Sequence, residues 1–259
     1  MNIGAVIIGD EILSGRRQDR HFAKLIELLR NRGLALSWCA YLGDDRARLT
    51  AFFRTSFASG DLVFSFGGIG NTPDDHTRQA AAAALGVPLE LHADAKREIE
   101  GRFGAEVTRQ RLAMGEFPRG ARIIPNPYNR IPGFSVGDHH FVPGFPEMAW
   151  PMAEWVLDTH YAGLRPERPR AEAAVVVYEV WESALMELMQ RIEREHAGLR
   201  VFSLPSFGDE RVRRHVELGV RGEAGQVEAA MAEIRAELDR IGLHWEPSPA
   251  ATRPQARGA

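Results

Sequence analysis

Short apolar runs alternate with helically spaced stripes along the first part of the chain, and this alternation sets the expected architecture. Residues 3–8 (IGAVII) are apolar throughout and stop at Gly9, the pattern of a strand covered on both faces, which implies a parallel sheet. Over residues 20–32, Phe22, Leu25, Ile26, Leu28 and Leu29 recur at helical spacing, and Gly33 stands where a C-terminal cap belongs. Residues 34–42 predict a second strand, and 61–66 a third. Between them, residues 46–58 predict a helix with Leu49, Phe52, Phe53 and Phe57 on one face. A helix over 74–85 continues the repeat, with Thr72 as N-cap, Pro73 in its first turn and Gly86 after its end. Strands alternating with helices in this way predict a three-layer α/β/α sandwich with right-handed crossovers.

The pattern then loosens. Residues 93–113 are helical but interrupted at Gly101 and Gly104, which predicts two or three short helices before a strand at 121–124. The run PNPYNRIPGF (125–134) reads as loop, 136–139 as a tight hairpin turn, 140–142 as a strand, and Pro151 as the first turn of a helix through 158. A first domain is expected over 1–161, followed by a proline- and arginine-rich linker at 162–171. Residues 172–246 read strand, helix, strand, strand, helix, strand, the order of a smaller ferredoxin-like α+β domain. Residues 247–259 are polar and proline-rich, and predict a disordered tail.

Composition narrows the function classes. With 259 residues, 44% hydrophobic and 26% charged, the chain is globular, and a formal net charge of -3 gives no general attraction to nucleic acid. The single cysteine, Cys39, lies in an apolar run and reads as a buried strand residue, which suits a reducing compartment. The first apolar run breaks at Asp10 and has no basic leader, so neither a signal peptide nor a membrane partner is expected, and a cytoplasmic location is.

Open α/β sheets bind ligands beyond the carboxyl ends of their strands. Here the first strand runs into Gly9-Asp10-Glu11, the second into Gly43-Asp44-Asp45, and the third into GGIGNTPDDHT (67–77). Glycine-rich entry to a helix offers N–H donors to phosphate, whereas acids repel it; a cation between the two reconciles them. Capping accounts for Thr72, Pro73, Asp74 and Asp75, but not for Gly67-Gly68-Ile69-Gly70. The loop lacks the third spaced glycine of a dinucleotide fingerprint and the lysine of a P-loop. His139 and His140 alternate along a strand and so do not share a metal, and His76 reads as a solvated helix residue beside Asp75. Gly222-Glu223-Ala224-Gly225 has the spacing of an RNA-clamping loop, but is expected to join a strand to a helix.

Five motifs carry a wider likeness. GDEILSG (9–15), GDD (43–45), GGIGNTPDDHTRQA (67–80), NPYNRIPGF (126–134) and VPGFPEM (142–148) together resemble the molybdopterin-binding superfamily, and within it the N-terminal domain of the competence/damage-inducible CinA proteins. The likeness covers about residues 1–160. It implies a three-layer fold that binds molybdopterin in MoaB and MogA and acts as a metal-dependent ADP-ribose pyrophosphatase in CinA-type domains. Carried over, Asp44 and Asp75 hold Mg²⁺ or another divalent cation and serve the phosphate chemistry. Gly67, Gly68, Gly70, Asn71 and Thr72 cradle the phosphate; Asp10, Glu11, Ser14, Asn126, Pro143 and Gly144 border the same pocket. The chain departs from the family at Asn71, at Asn129-Arg130-Ile131, and at a Pro143–Met148 segment one residue short; Arg130 is a candidate reader of a second phosphate. The resemblance implies a small-molecule nucleotide or pterin phosphate as ligand, in a homo-oligomer, without the amidase domain of CinA proteins. Hydrolysis of a nucleotide-type pyrophosphate is the first expected function, molybdopterin nucleotide transfer the second, and a non-catalytic nucleotide or pterin sensor the third.

Overall fold

The computed structural model describes residues 2–164, 170–208 and 212–249. The chain divides into two compact units after Leu164, and half of the expected linker, residues 165–169, lies outside the described residues.

In the first unit, strands β1 (Ile3–Ile8), β2 (Trp38–Leu42) and β3 (Leu62–Phe66) pair in parallel. Between and after them run α1 (Asp10–Leu13), α2 (His21–Arg30), α3 (Arg46–Ser59) and α4 (Thr77–Leu85). Next come β4 (Leu89–Leu91), α5 (Ala93–Phe103), α6 (Arg109–Ala113), β5 (Glu116–Pro118), β6 (Arg122–Ile124), β7 (Gly133–Val136), β8 (His139–Val142) and α7 (Pro146–His160). The main sheet has the order β2-β1-β3-β8-β7-β6. β8 joins β3 in parallel, whereas β7 and β6 are antiparallel, so the sheet is mixed rather than wholly parallel. The hairpin between β7 and β8 is the reason: its turn is too tight for a crossover.

The strictly alternating pleat produces three layers. Ala5 and Ile7 of β1 face α2 and α7, where Leu25, Leu29, Val156 and Leu157 bury them. Val6 and Ile8 face the opposite layer, against Leu49 and Phe53 of α3 and Ala80 and Ala81 of α4. Each fully buried Leu, Ile or Phe contributes about 1.5–3 kcal/mol of transfer free energy. Helix ends follow local chemistry: Leu34 N–H reaches back to Leu29 O past Gly33, and the Asp45 side chain accepts from Arg48 N–H at the start of α3.

Three expectations for this unit are corrected, and one pair of strands has no counterpart in the sequence reading. α4 begins at Thr77 rather than at 74. α5 runs through Gly101 and stops only at Gly104. α7 begins at Pro146, which occupies its first turn, and Pro151 sits inside it. β4 and β5 form a separate antiparallel pair whose three-residue strands are too short to show periodicity.

The second unit contains β9 (Arg170–Tyr178), α8 (Met186–Glu195), β10 (Arg200–Ser206), β11 (His215–Glu223), α9 (Ala224–Arg240) and β12 (Trp245–Pro247). Its sheet order, β10-β11-β9-β12 with antiparallel neighbours, is that of the ferredoxin-like unit. Gly222 and Gly225 flank the direct passage from β11 into α9, as their spacing predicts. β12 extends through Pro247, and Ser248 is buried with its N–H on Ala174 O, so residues 247 and 248 pack rather than begin a tail. Residues 250–259 lie outside the described residues. No helix among the described residues is long and apolar enough to cross a membrane.

Candidate functional site

A cavity of about 730 Å³ opens beyond the carboxyl ends of β1, β3 and β8. Of the thirteen residues predicted to form the site, all but Asp10 and Ser14 line it.

Its floor is the turn after β3. Gly67 and Gly68 have φ of 103° and 66°, and a Cβ would stand 2.3 Å from Ile8 O at the first and 2.3 Å from Thr77 Oγ1 at the second. Only glycine allows the turn to lie this close to β1 and α4. Thr77 closes it from the helix side, its N–H on Gly68 O and its hydroxyl on Gly67 O, both at 3.0 Å. Gly67 N–H is engaged by Val142 O. The next four amides, of Gly68, Ile69, Gly70 and Asn71, have no acceptor among the described residues. A run of free N–H groups beside a cavity is an anion-binding arrangement.

Asp75 does not sit in a first helical turn. Its Oδ2 accepts from Thr72 N–H at 2.8 Å and from the Thr72 hydroxyl at 2.5 Å, while its own N–H returns to Thr72 O. The capping-box pairing thus closes a four-residue turn, which postpones the helix to Thr77. The Asn71 side chain donates to Gln110 O at 2.7 Å and ties the turn to α6.

Asp44 comes from the loop after β2. Asp10 N–H donates to Asp44 Oδ2 at 2.9 Å, and Asp44 N–H to Asp10 Oδ1 at 3.2 Å, a reciprocal clasp of two loops. Gly43 makes room for it, since a Cβ there would meet Asp10 Oδ1 at 2.4 Å. Asp10 therefore supports Asp44 instead of lining the cavity, and Ser14 donates to Glu11 O. Burial raises the Asp44 pKa first of all; the charges of Asp10, Glu11 and Asp74 raise it further, against the lowering effect of the Asp10 N–H.

The cavity wall carries Glu11, Asp44, Asp74 and Asp75 against Arg16 and Arg17. An anionic ligand therefore needs a counter-cation. No group of three or more His, Cys, Asp or Glu side chains that could hold a metal occurs among the described residues. Mg²⁺ takes one or two carboxylates and completes its shell with water and phosphate oxygens; Asp44 and Asp75 both line the cavity, and the acids whose charge acts on Asp44 are Asp10, Glu11 and Asp74.

Two supporting residues escape sequence reasoning. Arg78, only 2% exposed, donates from Nη2 to Gly70 O at 2.6 Å and from Nη1 to Glu116 O at 3.1 Å and to Ala113 O, placing a guanidinium under the glycine turn. Burial lowers its pKa, while Glu116 and Asp75 act to raise it. Its only sequence signal is an arginine among buried alanines. His21 is buried against Phe66 with ring centroids 4.7 Å apart, and its Nε2 donates to Gly144 O at 3.1 Å. It thereby holds the β8 loop beside Gly67.

Other predicted residues have different work. Asn126 is buried and frames its own loop, donating to Asn129 Oδ1 and Ile131 O and accepting from Tyr128 N–H. Arg130 is drawn to Glu98 of α5 at 2.9 Å and does not line the cavity, so it is no reader of a second phosphate here. His139 meets Ser56 at 2.7 Å, whereas His140 bridges Ser135 and Tyr161 in the other layer. Tyr161 donates its hydroxyl to Asp138, so His140 carries its proton on Nε2 and accepts from Ser135. Burial pushes these imidazoles down to about 4 and about 3.

Residues 4–162 match the family model described as "Probable molybdopterin binding domain". A CinA-like protein of Anaeromyxobacter sp. (strain Fw109-5) is 35% identical over 204 residues, covering 76% of this chain and 47% of that relative. A protein of Caldivirga maquilingensis is 30% identical over 250 residues, covering 93% of this chain and 95% of its own length. The crystal structure of the protein CinA with unknown function from Thermoplasma acidophilum aligns with a TM-score of 0.56 at 30% identity, over 61% of this chain and 98% of that one. The chain spans about half the length of the CinA-like relatives it matches.

Proposed function

The chain belongs to the molybdopterin-binding domain family, and from that premise we propose that its cavity binds a nucleotide-type pyrophosphate with a divalent cation and hydrolyses it. The observation that carries this reading is the run of four unengaged amides, Gly68 to Asn71, in one cavity with the carboxylates of Asp44 and Asp75. The amides receive phosphate oxygens at no cost in reorganisation. Asp44 and Asp75 hold the cation against those oxygens, and Arg78 keeps the Gly70 carbonyl turned away from the bound anion. The cation, when bound, supplies neutralisation of the phosphate charge and a more acidic water. A second reading, binding of a pterin phosphate without hydrolysis, is favoured by the family match and uses the same amides.

The test is incubation of the purified protein with ADP-ribose and related pyrophosphates in Mg²⁺, comparing wild type with Asp44→Asn and Asp75→Asn. Asparagine keeps the oxygen that Thr72 needs, so the turn survives in the second variant. Turnover should fall by about a hundredfold or more in each and vanish on chelation of the metal. Wild type that binds these compounds without cleaving them would replace hydrolysis with the second reading.

A further inference from the structure

Phosphate binding leaves one wall of the cavity unexplained. Phe145, in the loop after β8, lines the cavity and is 52% exposed, although its backbone is held firmly. Its carbonyl accepts from Met148 and Ala149 N–H at 3.0 and 2.8 Å, and Pro146 follows in the first turn of α7. A large aromatic kept half in water on a rigid backbone, at the mouth of a cavity, has apolar area that no interior contact uses. The Arg17 guanidinium lies over the ring, 5.7 Å from its centroid, while reaching Glu11 at 3.7 Å. Ile131, Pro132 and Met148 continue the apolar wall.

We propose that Phe145, steadied by Arg17, is a stacking platform for a planar heteroaromatic ring carried by the ligand. It makes the cavity select nucleoside phosphates over ring-free phosphates. Stacking suits this place because every such ring offers a π-face, and the Arg17 guanidinium already stands within cation–π distance of the Phe145 ring. The inference rests on the reading that the glycine turn takes the phosphate, and it assigns a separate residue to the rest of the molecule.

Calorimetric titration of the full chain with ADP and with inorganic pyrophosphate, both in Mg²⁺, separates the two contributions. Wild type should bind ADP at least about tenfold more tightly than pyrophosphate. Phe145→Leu should lose about ten- to a hundredfold toward ADP with pyrophosphate affinity unchanged, and Phe145→Trp should keep the preference. Equal affinities in wild type, or equal losses toward both probes in Phe145→Leu, would overturn the platform while leaving the phosphate site standing. Binding of neither ADP nor pyrophosphate to wild type would remove the phosphate site itself, and the platform with it.

Discussion

Arg78 concentrates much of the site's cost in one side chain. It satisfies three backbone carbonyls, of Gly70, Ala113 and Glu116, from a position almost sealed from water. Arg78→Met leaves those carbonyls without donors, and should destabilise the chain by about 2–4 kcal/mol and weaken pyrophosphate binding; urea unfolding midpoints and titration measure the two effects. Arg78→Lys should recover little, because one ammonium cannot span the planar fork of contacts. At this scale the sequence was legible where a residue type is costly without a reason. Gly67 and Gly68 announce a close backbone approach because nothing else explains so much glycine. Arg78 and His21 stayed hidden, since an arginine or histidine at the start of a helix looks the same whether it faces solvent or props up a turn. The capping-box spacing of Thr72 and Asp75 predicts that the two pair, which they do, and the turn that the pairing closes is the part only packing decides.

Among the elements, α7 is the clearest case of two local rules competing. Both Pro146 and Pro151 fit a first helical turn, and the structure uses the earlier one, leaving Pro151 exposed within the helix. An interior proline withholds an N–H from the carbonyl four residues back, that of Glu147. Pro151→Ala should therefore raise stability by about 1–3 kcal/mol, seen as a Tm several degrees higher in thermal unfolding. An unchanged or lower Tm would show that the helix has adapted to the proline. Long elements with a repeating stripe, such as α2 and α3, were readable in advance because burial of one face imposes the repeat. β4 and β5 were not, because three residues hold too few alternations to separate strand from loop.

For the whole molecule, the buried histidines of the first unit set its response to acid. His139 and His140 are held neutral by burial, with pKa values of about 4 and about 3, and burial lowers that of His21 as well. The unfolded chain protonates these rings near pH 6.5, so below that pH it binds protons that the folded unit refuses. Stability is unaffected by them above about pH 7 and falls as pH drops, by up to about 1.4 kcal/mol per unit for each ring until its folded pKa is reached. Urea midpoints from pH 7 to 5 should fall steeply in wild type and less so in a His139→Gln, His140→Gln variant, whatever that variant loses at pH 7. A flat profile in wild type would contradict the burial. The layered architecture itself was legible from alternation alone, and the mixed sheet was not fully so, because a run such as residues 140–142 reads as a strand without stating its direction.

The cavity draws its amides from the loop after β3, its acids from the loops after β1, β2 and β3, and its aromatic wall from the loop after β8. The wall and the turn meet where Val142 O accepts from Gly67 N–H and Gly144 packs on Gly67, so on the reading proposed above a change confined to the Phe145 side chain alters the wall and leaves residues 67–71 in place. On that reading grip and discrimination fall to separate loops, and a lineage that carries this arrangement can exchange one phosphorylated compound for another while its glycine turn stays unaltered.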